Sequence, residues 1–168
     1  MRRTLAVLIL ALSTLPGIAR ADDDGPIKLS PQQIGDIFCI GIVGNDMAPV
    51  EAIITTPLRK AIDKANKLND VYMKKNPGEA PPMDGLPWQD SADYTPQCHA
   101  LNPSIGKDSA RVELDYSFPD DAAANFTDQL ILKAVPDPEM GGTKWRIDDV
   151  QFRDGTDMLH AMTEAFAQ

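Results

Sequence analysis

Two hydrophobic periods divide the chain. Between Ser30 and about Tyr72 apolar residues recur three and four positions apart; between Val112 and Phe152 they alternate with polar ones. In the first region Ile34, Ile37, Phe38 and Ile42 share a helical face. Ser30 can cap that helix, Pro31 suits its first position and Gln33 can complete a capping box. Gly44-Asn45 ends it. A second helical pattern, Val50, Ile53, Ile54, Leu58, Ala61, Ile62, Ala65 and Leu68, starts from an Asp46 cap. Pro57 lies inside it and predicts a kink, or a restart capped by Thr55 or Thr56. Lys60, Asp63, Lys64 and Lys67 line the other side, which reads as a solvated surface.

No long period runs from Lys74 to Lys107, where Pro77, Pro81, Pro82, Pro87, Pro96 and Pro103 forbid a regular helix through most of the segment. Residues 81–88 form an irregular stretch carrying Trp88; a loop this long in a compact domain is usually functional or mobile. A short strand near Tyr94 to Leu101 would bring Cys98 toward the first helix. Val112, Leu114, Tyr116 and Phe118 then alternate with polar residues as one strand. Phe126 to Val135 is a second, with Leu130, Leu132 and Ala134 on one face and Ile131 on the other, and Thr143 to Phe152 is a third. Thr156 can cap a last helix whose Met158, Leu159, Met162 and Phe166 share a face. Helices grouped before an antiparallel meander predict an α+β domain over 30–168, with helices packed on one face of the sheet.

The third strand changes parity. Trp145 and Ile147 share one, Val150 and Phe152 the other. An extra residue at Asp148-Asp149 would return all four to one buried face, as a β-bulge does; the alternative is a strand buried on both faces. On the bulge reading Asp149→Asn should cost about 1–2 kcal/mol through a weakened charge-assisted hydrogen bond.

The N-terminus carries a different message. Arg2-Arg3, the apolar run from Leu5 to Leu15, and Ala19-Arg20-Ala21 form the pattern of a secretory signal peptide cleaved after Ala21, followed by a disordered leader over 22–29. The apolar run is shorter than the roughly 20 residues of a spanning helix, so no membrane span is expected after cleavage and the protein reads as periplasmic or secreted. In that setting Cys39 and Cys98 read as a disulfide. The net charge is −9, and an acidic body with no Lys/Arg cluster reads as a poor partner for nucleic acid or anionic lipid.

The string Lys144-Trp145-Arg146-Ile147-Asp148-Asp149-Val150-Gln151-Phe152, coming after helices and a strand meander, resembles the closing strand of nuclear-transport-factor-2-like (cystatin-like) proteins. With the Phe38-Cys39 helix and Gly85-Leu86-Pro87-Trp88-Gln89, the chain is similar to a group of exported bacterial proteins classed as a domain of unknown function on that fold. The resemblance implies a cone-like shape, with a curved antiparallel sheet around N-terminal helices and a cavity at the wide end. It implies no reaction, because the fold hosts isomerases, cyclases, dehydratases and binding modules.

Enzymes on this fold place a carboxylate or His base in an apolar cavity, often opposite a phenol or acid. The resemblance therefore makes Asp148, Asp149, Asp115 and Tyr116 the acid–base candidates, against a plainer reading in which the Asp pair flanks a bulge and Tyr116 packs the core. Trp88, Tyr116, Trp145, Asp148 and Asp149 are the candidate ligand-binding residues. His99 and His160 accompany no nucleophile, and no phosphate loop, metal-ligand spacing or nucleophile elbow occurs, so neither cofactor nor metal is expected. The leading expectation is a non-catalytic binding protein that takes a small ligand or protein partner through the cavity mouth and residues 81–88. The rivals are a small isomerase- or dehydratase-like enzyme with an Asp base, and a periplasmic immunity protein whose acidic body meets a basic toxin.

Overall fold

A computed structural model describes residues 28–91 and 94–167. The expected signal peptide and most of the leader lie outside the described residues. Lys28 and Leu29 are tied in: Lys28 Nζ donates to the Gly141 carbonyl at 3.0 Å and Leu29 packs on the core.

Helix α1 (Pro31–Gly44) starts on the expected capping box. Ser30 Oγ accepts from the Gln33 N–H, and the Gln33 side chain accepts from the Ser30 N–H. It ends at Asn45 in the left-handed conformation, φ 49°. Its inner face carries Ile34, Gly35, Phe38 and Cys39. A Cβ on Gly35 would stand 2.7 Å from Ala100 Cβ and 2.8 Å from Val112 Cγ1, so the missing side chain is what lets α1 lie so close to the sheet.

The second helical pattern is two helices. In α2 (Ala48–Glu51) Met47 is the capping position, although Asp46 Oδ1 does accept from the Ala48 N–H. The chain then extends, and Ile54 bridges Ile147 in parallel. The Ile147 N–H donates to Ile53 and the Thr55 N–H to the Ile147 carbonyl. Helix α3 (Thr56–Lys75) restarts there, with Thr55 Oγ1 accepting from the Leu58 N–H and Pro57 in the first turn, where its missing donor costs nothing.

Four strands follow, β1 (Gln97–Ile105), β2 (Ser109–Ser117), β3 (Phe126–Pro136) and β4 (Thr143–Gln151), paired antiparallel in the order β1-β2-β3-β4 as an open sheet. Strand β1 runs further than its sequence suggests, straight past Pro103. The register slips between Leu101 and Ser104, where Asn102 has φ 48°, and proline is tolerated at such a bulge on an edge strand. Helix α4 (Met158–Glu164) is capped by Asp157, which accepts from the His160 N–H; Thr156, the expected cap, donates to Asp154 instead. The α+β expectation holds. Ala110, Val112, Leu114, Tyr116, Leu130, Leu132, Ile147 and Val150 of the sheet share one core with Ile34, Phe38, Leu58, Ile62 and Met158 of the helices.

The expected bulge is present. Ile131 pairs with Asp149 and Leu132 with Ile147, so Asp148 is the extra residue. Ile147, Val150 and Phe152 are buried as a result, while Trp145 is half-buried against the core's rim. The disulfide joins Cys39 of α1 to Cys98 of β1 across a Cα separation of 5.1 Å. Closing a loop of 59 residues stabilises the fold by about 4 kcal/mol in the chain-entropy model.

Candidate functional site

Between α3 and β1 the described residues form no helix or strand, yet polar anchors hold them. The Asn69 side chain accepts from the Met83 N–H at 3.3 Å and donates to the Met83 carbonyl at 2.6 Å. The Trp88 N–H closes a turn onto Leu86, and its ring meets Phe38 edge-on at 6.2 Å. Further on, the Asp90 N–H donates to Asp128 Oδ2 at 3.0 Å. Thr95 Oγ1 donates to Gln89 Oε1, and Tyr94 Oη to the Val43 carbonyl. This lip, residues 82–91, faces the end of α1, Met47, Tyr94 and Ala161 of α4 across a cleft of about 740 Å³. Its walls mix Met47, Met83, Leu86 and Trp88 with Asp84 and Asp90, and among the described residues no Lys, Arg or His lines it.

Asp128 lies beneath the lip. It sits on β3 opposite Leu114, inside the core, with 1% of its surface exposed. Each oxygen serves a different segment: Oδ2 takes the Asp90 N–H of the lip, Oδ1 the Arg153 N–H beyond β4 at 3.2 Å. The Arg153 guanidinium pairs with the Asp90 carboxylate and rests over the Phe126 ring, 5.3 Å from its centre. Burial pushes the Asp128 carboxyl up to about 6, against the pull of its two backbone donors. Tyr116 stacks on Phe126 at 4.4 Å and is fully buried. Burial first, and the Asp128 charge second, hold its phenol well above the usual range. Its Oη meets no hydrogen-bond partner among the described residues.

Asp148 and Asp149 are occupied differently. Asp148 Oδ1 accepts from the Thr55 hydroxyl at 2.8 Å, which ties the bulge to the cap of α3. Asp149 Oδ1 accepts from both the Val150 N–H at 2.9 Å and the Leu159 N–H at 3.3 Å, which ties the bulge to α4. Burial also raises the Asp149 carboxyl to about 6, with Asp157 and Asp148 adding to it. Of the five candidate ligand-binding residues only Trp88 lines the cleft; Tyr116, Trp145, Asp148 and Asp149 do not. Asp115 stands on the sheet's other face, opposite Thr127 and His99. His99 and His160 are exposed.

Sequence reasoning missed Asp128 and Arg153. A signal for Asp128 was there, since it shares its parity with Phe126, Leu130 and Leu132 and so stands on the apolar face of its strand. Arg153 is fixed by contacts that link distant parts of the chain, and no local pattern announces them. No cluster of three or more His, Cys, Asp or Glu suited to a metal ion occurs among the described residues. No family model matches the chain, and neither a curated protein nor a solved structure matches it.

Proposed function

We propose that this chain is an exported, non-catalytic binding protein on a nuclear-transport-factor-2-like fold, and that its ligand occupies the cleft behind residues 82–91. The observation that carries the reading is the way the lip is held. An irregular, proline-rich segment is pinned at one end by Asn69 and at the other by a buried carboxylate. A wall fixed in this way costs little to order when a ligand arrives, and a cleft of about 740 Å³ falls in the range of small-molecule sites. Its mixed lining, with Met47, Met83, Leu86 and Trp88 beside Asp84, suits an apolar body bearing a neutral or positive head group.

The cysteine bridge and the pattern of residues 1–21 support the exported reading. The helices followed by a strand meander support the fold reading. The carboxylates support binding over acid–base chemistry, because a general base needs an oxygen within reach of substrate. Asp128 spends both oxygens on backbone donors, and neither Asp148 nor Asp149 lines the cleft.

The test is an NMR titration of the disulfide-bonded protein with a panel of aryl and alkyl amines. Shifts should centre on Gly85, the Trp88 indole and Tyr94, and Asp84→Asn should weaken binding at least threefold. Shifts centred on Asp148 and Asp149, with turnover that Asp149→Asn abolishes, would replace this reading with the enzyme.

A further inference from the structure

The acidity of the chain hides a basic helix. α3 carries Arg59, Lys60, Lys64, Lys67, Lys74 and Lys75 against Asp63 and Asp70, within a chain of net charge −9. The expectation that no Lys/Arg cluster exists is therefore wrong, because net charge sums over a surface that the helix then divides. At 100° per residue Lys60, Lys64, Lys67, Leu68, Val71 and Lys75 fall on one face, with Lys74 at its border. Leu58, Ile62 and Ala65 fall on the opposite, buried face.

Two further observations set this face apart from an ordinary solvated one. None of its lysines forms an ion pair among the described residues, whereas Arg59, which lies off this face beyond Asp63 and Asp70, is engaged with Glu51. Apolar side chains also stand among the lysines, Leu68 at 38% and Val71 at 47% exposed, and they share a shallow groove of about 370 Å³ with Lys60, Asp63, Lys64 and Lys67. From Asn66 to Lys75 no residue of the helix is buried, so this half stands proud of the core.

We propose that this face of α3 docks the protein on an anionic lipid surface. Lysines reach phosphate head groups while Leu68 and Val71 enter the boundary with the acyl chains, which is how interfacial helices divide the work. Nucleic acid is the poorer fit. The face offers no arginine fork and no aromatic ring for a base, and its exposed aliphatic groups would gain nothing against phosphates. No described helix is long and apolar enough to cross a membrane, so the attachment is peripheral. The acidic remainder is repelled by the same surface, which leaves one orientation of approach.

The test is sedimentation of the disulfide-bonded protein with vesicles of phosphatidylcholine, alone or mixed with phosphatidylglycerol. Binding is expected only to the mixed vesicles, and high salt should abolish it. The double variant Lys64→Glu, Lys67→Glu should bind at least tenfold more weakly. Leu68→Ser, Val71→Ser should lose several-fold while keeping the salt dependence. All four residues are exposed, so an unchanged thermal midpoint will show that the variants fold. Equal binding to neutral vesicles, binding that survives the charge reversal, or no binding to either vesicle overturns the proposal. Salt-sensitive binding to duplex DNA without vesicle binding overturns it in favour of nucleic acid. None of these outcomes depends on what occupies the cleft.

Discussion

Asp128 and Asp149 have the same chemistry and nearly the same electrostatic environment, yet they hold the molecule in different ways. Burial raises both to about 6, and both accept two backbone N–H groups. Asp128 divides its donors between two oxygens and so ties together the lip and the segment after β4. Asp149 gathers both donors on Oδ1, one from its own bulge and one from α4. The first needs a carboxyl group, since only two acceptor oxygens satisfy both segments. The second needs one carbonyl-like oxygen, which an amide also supplies.

The largest effect should come from Asp128→Ala. It leaves the Asp90 and Arg153 amides unpaired beneath the lip, and a loss of about 3 kcal/mol is expected in urea unfolding. Hydrogen exchange should quicken at those two amides. Asp128→Asn should recover less than half of that, because its NH₂ group meets one of the donors. Full recovery by Asn would show that the two carboxylates are equivalent and end the contrast.

Next comes pH. Each carboxyl is held near 6 in the folded protein, above the roughly 3.9 of an unfolded Asp, so the folded chain keeps protons that the unfolded one has released. The stability these groups contribute is complete below about pH 4 and is lost as pH rises through about 6. The loss should be on the order of 2 kcal/mol for Asp128. Asp154, held low by Thr156, and Asp137, whose burial is outweighed only by the Lys144 ammonium together with the Glu139 and Met140 N–H groups, act in the opposite sense at more acidic pH. Urea midpoints between pH 4 and 7 should fall in the parent, and fall less in Asp128→Asn. A flat profile in the parent contradicts the raised values.

The smallest effect should be Asp149→Asn, below about 1 kcal/mol. That revises the 1–2 kcal/mol read from the sequence, because the geometry places both donors on an oxygen that asparagine keeps. Asp149→Ala, which removes the acceptor, should cost more than the Asn variant. Equal losses for the two, measured by thermal unfolding, would mean that charge and not acceptor geometry matters at this position.

Much of the fold was legible where a local pattern decides it. The capping box at Ser30 and Gln33, the restart at Thr55 and the bulge at Asp148 all follow from residues within a few positions of each other. Less was legible where partners are distant. The bridge from Ile54 to Ile147 joins residues far apart in the chain, and it is what ends α2 before α3 begins. Strand β1 continues past Pro103 only because β2 pairs it on one side and its other edge needs no proline donor. The site suffered most. Its organising acid, Asp128, was readable by parity, but its two partners come from the lip and from beyond β4. The Asp148-Asp149 pair drew attention by adjacency, while its bonds go to α3 and α4 and not to the cleft.

The disulfide has a mechanical consequence. Residues 39–98 form a covalent ring that contains all of α2 and α3, and every residue lining the cleft except Ala161. Tension applied to the two ends of the chain passes from α1 to β1 through sulfur and bypasses this ring. A strand pulled from either terminus can peel the sheet, but the segment carrying the cleft and the lysine helix carries no load. A single cut within the ring would likewise leave both fragments bound to each other. The parts of the molecule proposed to contact other molecules are thus the parts most protected from being drawn out by them.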